Sequence, residues 1–147
     1  MELQEIAQLY AGTKEVSALG RMVRDPKLKV FFLDGAKASS AAGLARSEQA
    51  GQHILVFVLD DEEAAGYFYH DLVQLSASDE NILFFPSSFR RAVKYGQRDS
   101  ANEILRTEVL GRISSPQASS SPLYLVTYPD AIVEKVTSKE TLNEHLL

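Results

Sequence analysis

The stretch "LDGAKASSAA", Leu33 to Ala42, follows the apolar run "LKVFF". An apolar strand, a glycine turn and a small-residue helix start follow one another in a phosphate-binding loop, G-x-x-x-x-G-K-[ST]. In such a loop backbone amides cradle the phosphates, the Lys neutralises the outer ones and the hydroxyl holds magnesium. With Gly35 as the first glycine, Ser40 stands at the second, Ala41 at the Lys and Ala42 at the Ser/Thr. The cation and the metal ligand are both missing. Lys37 lies inside the loop, away from the position whose side chain curls back over the phosphates. The amides around Ser39 and Ser40 could still draw an anion weakly, as helix starts do. The plainer alternative is a glycine turn leading into an Ala-rich helix. No nucleotide is expected at Gly35, Ser39, Ser40, Ala41 and Ala42.

Two further stretches carry charge in patterns that suggest chemistry. "HILVFVLDDE", residues 53 to 62, ends an apolar strand in acids, as magnesium-binding strands of nucleotide hydrolases and of phosphorylated receiver domains do. The competing reading is that Asp60, Asp61 and Glu62 cap the next helix and complement its dipole. A receiver also needs a phosphoacceptor Asp after its third strand, and here that strand ends Phe85-Pro86-Ser87. Thr127 could serve as its later hydroxyl, but Lys135 stands in the wrong context. The third stretch gathers Arg90, Arg91, Lys94 and Arg98 around Phe89 and Tyr95, with Arg106 just beyond. Arginines among aromatics can stack on nucleic acid. They also occur in solvated loops and in contacts with acidic partners. These four cations are the candidate partner or DNA contact.

Other chemistries find no support. No Gly-x-Ser-x-Gly elbow appears. The chain has no Cys, and its three His (His53, His70, His145) form no metal-ligand pair. Neither a catalytic set nor a metal site is expected.

The elements that must position these residues follow from periodicity. Residues 2 to 24 read as helical with a break at Gly12-Thr13. Leu3, Ile6, Leu9 and Tyr10 lie on one face, and Val16, Leu19, Met22 and Val23 continue the stripe. Asp25-Pro26 ends it, because proline disfavours helix in the residue before it. Four short β-rich runs, 28 to 33, 53 to 59, 81 to 85 and 123 to 128, read as buried strands. Helices are expected over 39 to 50, over 60 to 75 with Tyr67, Phe68, Leu72 and Leu75 apolar, and over 99 to 113 with Ile104, Leu105, Val109 and Leu110 apolar. Residues 86 to 98 read as a loop or short helix. A short helix opens on Pro129 at its first turn, and Thr137 or Ser138 before Glu140 starts a last one. Strands alternating with helices predict a three-layer α/β domain, a parallel sheet with helices on both faces.

The chain's 147 residues fit a single α/β lobe, 1–147, with 45% hydrophobic and 24% charged residues. A net charge of -5 argues against a broad nucleic-acid-binding face. The N-terminus "MELQEIAQLY" lacks a signal pattern, and no apolar run approaches the roughly 20 residues of a membrane span. A cytoplasmic protein without a membrane partner is the expectation, and the closing apolar helix suggests a boundary inside a larger multidomain protein.

The order of these stretches resembles the N-terminal UvrB-like region of bacterial transcription-repair coupling factors (the Mfd family). "ALGRMVRDPKLKVFFLDGAKASSAAGLAR" resembles the family's strand, turn and degenerate phosphate loop, and "HILVFVLDDEEAAGYFYHDL" its second strand and helix. "ILFFPSSFRRAVKYGQRDSANEILRTEVLGRI" and "PLYLVTYPDAIVEKVTSKETLNEHLL" are similar to its later strands, loop and helices. The resemblance spans nearly the whole chain and rests on order and spacing. UvrB itself keeps an intact phosphate loop and a long DNA-clamping hairpin, and this chain departs from both. The resemblance implies a fold like UvrB domain 1a and a non-catalytic scaffold lobe with no cofactor of its own. It implies a parent that is an ATP- and Mg-dependent DNA translocase, which displaces stalled RNA polymerase and recruits UvrA for nucleotide excision repair. The UvrA-binding domain would begin after about residue 147. A signalling receiver and a stand-alone nucleotide-binding protein are the alternatives.

Overall fold

The computed structural model describes residues 2–27, 30, 33, 37–47, 53–76, 80–89, 98–115 and 122–136. The first two helices, α1 (Leu3–Ala11) and α2 (Lys14–Arg24), are divided at Gly12-Thr13. Thr13 supplies the physical reason, because its hydroxyl accepts from the Val16 amide at 3.3 Å and restarts the helix as its N-cap. Helix α3 (Ala38–Arg46) ends earlier than periodicity predicts. Ser47 is extended, and its hydroxyl and amide both bond to the Leu44 carbonyl.

Strand β1 (Ile54–Val58) leads into α4 (Glu62–Leu75), β2 (Ile82–Phe84), α5 (Ser100–Ser114), β3 (Leu123–Thr127) and the one-turn α6 (Pro129–Ile132). Asp61 caps α4 by accepting from the Ala64 amide at 2.8 Å, and Asp99 caps α5 by accepting from Ala101 at 2.9 Å. Pro129 starts α6, where its missing N–H costs nothing. Of the expected buried strand at 28 to 33 only Val30 and Leu33 are described, and both lie outside any strand and are exposed, at 81% and 44%. The expected final helix lies outside the described residues.

The three strands form a parallel sheet in the order β1-β3-β2. Ile54 pairs with Leu123 and Val58 with Thr127 on one side, and Ile82 pairs with Tyr124 and Phe84 with Val126 on the other. The last strand lies between the first two. No three consecutive strands have this arrangement in the 3-2-1-4-5-6 or 2-1-3-4-5 orders of the common doubly wound folds.

Phe84 and the following Phe85 show that helices lie on both faces at β2, whereas at β1 the face carrying Ile54, Val56 and Val58 is exposed. Phe84 meets Tyr69 of α4 with ring centroids 5.5 Å apart, while Phe85 lies 4.2 Å from the Arg106 guanidinium of α5. Successive side chains on a strand point to opposite faces. Phe57 belongs to the α4 face, 5.3 Å from Phe68 and 6.4 Å from Tyr124. The core is continuous through Leu72, Ile82, Phe85, Val109 and the fully buried β3, and includes the small residues Ala7, Ala38, Ala41, Ala42 and Ala65. Those small residues let α1, α3 and α4 approach one another closely. At Gly43 an added Cβ would stand 2.7 Å from Tyr10 Cβ and 2.9 Å from the Ala11 amide nitrogen.

Three expected apolar faces are rearranged. Leu3 and Leu9 are exposed while Ala7 is fully buried, because α1 meets α3 through its smallest residue. Tyr67 is exposed, whereas Phe68, Leu72 and Leu75 of the expected face turn inward, joined by Ala65. On α5, Ile104 and Leu105 are exposed, and the inward stripe contains Arg106 and Val109.

Candidate functional site

Open parallel sheets place ligands outside the carboxyl ends of their strands. Here that end is built from the segment Pro86-Ser87-Ser88 leaving β2, Thr127-Tyr128 leaving β3, Arg106 of α5 and Glu134 beyond α6. Arg106 is only 6% exposed. Its Nη1 donates to the Pro86 carbonyl at 2.7 Å and the Ala131 carbonyl at 3.0 Å, and lies 3.6 Å from the Glu134 carboxylate. The guanidinium plane lies over Phe85, a cation–π contact in a desolvated setting. Its Nη2 is buried without a hydrogen-bond partner.

Glu134 is the acceptor at the centre of this knot. Its Oε2 accepts from the Ser88 amide at 2.9 Å and the Ser87 hydroxyl at 3.1 Å, and its Oε1 accepts from the Ser88 hydroxyl. Burial alone would raise the Glu134 pKa. The two Ser88 donors, the Ser87 hydroxyl and Arg106 outweigh that and hold the carboxyl below its ordinary range. Tyr128 accepts from the Ser87 amide at 2.8 Å, and burial raises its phenol above the ordinary value despite that bond. Thr127 donates to the Phe85 carbonyl at 2.9 Å, and Asn102 donates to the Ser87 carbonyl at 2.9 Å.

The knot's chemistry is fastening. Both serine hydroxyls donate to one carboxylate, and the guanidinium is spent on two carbonyls and that carboxylate. No histidine is bonded to either serine among the described residues. The result is a cross-link between β2, α5 and the segment after α6, placed where a ligand would otherwise sit.

The residues singled out in the sequence fall elsewhere. Ser39 and Ser40 are half-buried in the first turn of α3, and the Ser40 and Ala41 amides bond to the Lys37 carbonyl at 2.9 and 3.4 Å. Ala41 and Ala42 are 2% and 1% exposed, in the same core cluster as Ala7 and Ala65. Gly35 lies outside the described residues, as do Arg90, Arg91 and Lys94. Arg98 is described. It pairs with Glu103 at 3.1 Å, and its guanidinium lies 5.9 Å from the Phe89 ring centre. Phe89 and Arg98 also form an isolated antiparallel bridge, closed beside it by the Asp99 amide on the Ser88 carbonyl at 2.7 Å.

Sequence reasoning placed Arg106 in a basic stretch and passed over Glu134, Ser87 and Ser88. Arg106 stands one turn before the apolar Val109 on α5, and that shared face was the available signal. Among the described residues no group of three or more acids or histidines could hold a metal ion, and no helix is long and apolar enough to cross a membrane. No family model, curated protein or solved structure matches the chain.

Proposed function

We propose that the chain is a non-catalytic α/β scaffold lobe, related to the degenerate phosphate-loop lobe of the UvrB-like region in transcription-repair coupling factors. The burial of Ala41 and Ala42 carries this reading. A phosphate-gripping Lys at position 41 would have to start inside the contact among α1, α3 and α4, and a metal-binding hydroxyl at 42 would face the same packed interior. The positions that serve nucleotide chemistry in a working loop serve packing here. The knot supports the reading as well, because the chain fills the carboxyl end of its sheet with its own ion pair. Rigid fastening suits a platform that holds neighbouring domains. The parent would supply ATP- and Mg-dependent translocation, UvrA recruitment and contacts with RNA polymerase and DNA through its other parts, in the cytoplasm.

The receiver alternative is disfavoured by strand order. A receiver has the 2-1-3-4-5 order, in which no later strand enters between two consecutive earlier ones as β3 does here. Titration calorimetry with Mg-ATP tests the scaffold reading, and no heat is expected. Binding at micromolar affinity would overturn it. The family assignment is tested by reading the gene downstream, where a UvrA-binding domain and a helicase motor are expected in the same frame.

A further inference from the structure

The donors around Glu134 are held in place by the rest of the fold. Arg106 is fixed by the Pro86 and Ala131 carbonyls and by the Phe85 ring. The Ser87 amide donates to the Tyr128 hydroxyl at 2.8 Å, which pins the segment that presents Ser88. The Phe89 amide donates to Ser87 Oγ at 3.2 Å, so the Ser87 hydroxyl proton is left for the carboxylate. None of these holding contacts depends on Glu134.

One amide, two hydroxyls and a guanidinium that converge on a single point form the donor set of a bound oxyanion. They stand at the carboxyl end of the sheet, where open parallel sheets bind their ligands. The set is also larger than the carboxylate fills. Arg106 Nη2 is buried without a hydrogen-bond partner, although Glu134 lies 3.6 Å from Nη1 of the same rigid fork. Buried donors in native folds are seldom left unsatisfied. A carboxylate has two acceptor oxygens, whereas a phosphate brings further ones that can serve such a donor.

The segment that carries Glu134 is lightly held. It follows the one-turn α6, and Ile132, Val133 and Val136 are 50%, 81% and 51% exposed. Among the described residues, 134 to 136 make hydrogen bonds only through the Glu134 carboxylate. Its withdrawal breaks no strand and no long helix.

We propose that Ser87, Ser88 and Arg106 form a binding site for a phosphate-type oxyanion, with Glu134 as its built-in occupant, displaced when the anion binds. Glu62 and Asp130 act through their charge on the adjoining Tyr128, so the site suits a ligand with no more charge than the carboxylate it replaces. Inorganic phosphate below its second pKa is a monoanion and meets that condition. The site does not rest on the scaffold reading. Micromolar Mg-ATP binding by the wild type would overturn that reading alone, because a site that Glu134 occupies answers phosphate only in about the millimolar range or above.

The test titrates the whole ¹⁵N-labelled chain and its Glu134→Ala variant with sodium phosphate, against sodium chloride at equal ionic strength. In the variant, phosphate should shift the Ser88 amide to saturation. At about fivefold its Kd it should also raise Tm about 4 °C more than it does for the wild type, whose gain measures the general salting effect. In the wild type the Ser88 amide should move at least about tenfold less readily, because Glu134 must leave first. Acetate, which replaces the atoms that Glu134→Ala removes, should bind the variant more weakly than phosphate, since it leaves Nη2 unfilled. Adding Arg106→Met to Glu134→Ala should abolish both responses. If Glu134→Ala does not fold in buffer alone, phosphate should restore the native far-UV spectrum, and Glu134→Gln, which keeps an oxygen for the Ser88 amide, takes its place in the titration. Four results would overturn the proposal: a Tm gain no larger than the wild type's, no Ser88 shift in the wild type at about 0.1 M phosphate, acetate binding as tight as phosphate, or a response that survives Arg106→Met.

Discussion

Replacing Glu134 by Ala probes the knot directly. The two side chains of the ion pair are 7% and 16% exposed, so removing the carboxylate strands a buried guanidinium that already has one unsatisfied nitrogen. It also removes the acceptor for the Ser87 and Ser88 hydroxyls and the Ser88 amide. Breaking one side of a buried pair costs about 3–5 kcal/mol. Against a total stability on the order of 5–15 kcal/mol this is a large share, and for a chain of this size it lowers Tm by about 10 °C or more. Thermal and urea unfolding followed by circular dichroism measures it at pH 7. The double variant Arg106→Met/Glu134→Ala should be less destabilised than the sum of the single variants, because Met leaves no charge to strand. The shortfall should be at least about 1 kcal/mol. The pH dependence has a definite sign. Glu134 is held below its ordinary value of 4.5 in the folded chain, so on acidification the unfolded chain takes up the proton first. The carboxylate's contribution is present above the unfolded value and fades as pH falls through the folded one, so wild type and Glu134→Ala converge in acid. A cost below about 1 kcal/mol at neutral pH, or strict additivity of the two single variants, would refute the assignment of Glu134 as the central fastener.

Gly43→Ala should destabilise by about 1–3 kcal/mol in urea unfolding, because the added methyl meets Tyr10 Cβ and α1 backbone atoms at under 3 Å. Ala41→Lys, which restores the phosphate-loop cation, should lower Tm and leave Mg-ATP binding undetectable by calorimetry, because position 41 is buried among α1, α3 and α4. Tyr124→Phe should be neutral or stabilising by up to about 1 kcal/mol, since the Tyr124 hydroxyl is buried without a partner. The same burial pushes the Tyr124 phenol up to about 12, so in an ultraviolet titration Tyr124→Phe should remove a component that ionises near pH 12.

Local signals in the sequence reach far into this fold. Thr13, Asp61 and Asp99 cap helices because a short oxygen-bearing side chain can reach an amide two or three residues ahead, and each acts where its type suggests. The acids 60 to 62 illustrate the choice, because Asp61 works as a helix cap. The runs at 54–58, 82–84 and 123–127 are strands because short β-rich apolar segments flanked by helices pair into a parallel sheet, but only 123–127 is buried throughout, and Ile54, Val56 and Val58 of the expected buried run are exposed. Periodicity failed where small residues do the packing. Ala7, not Leu3 or Leu9, is the fully buried residue of α1.

The candidate site lay beyond those local signals. Ser88 and Glu134 are 46 residues apart, and Arg106 reaches carbonyls 20 and 25 residues away, so no spacing rule connects them. By itself the sequence determined the helix starts near Asp61 and Asp99, the strands at 54–58, 82–84 and 123–127 and the loss of the phosphate-loop cation and hydroxyl, because each depends on residue type and near neighbours. Only the tertiary structure decided that β3 enters between β1 and β2, that Arg106 turns inward and that Ala41 and Ala42 are core. Those outcomes depend on which distant surfaces exclude water together, and on a buried charge becoming tolerable once its partners converge.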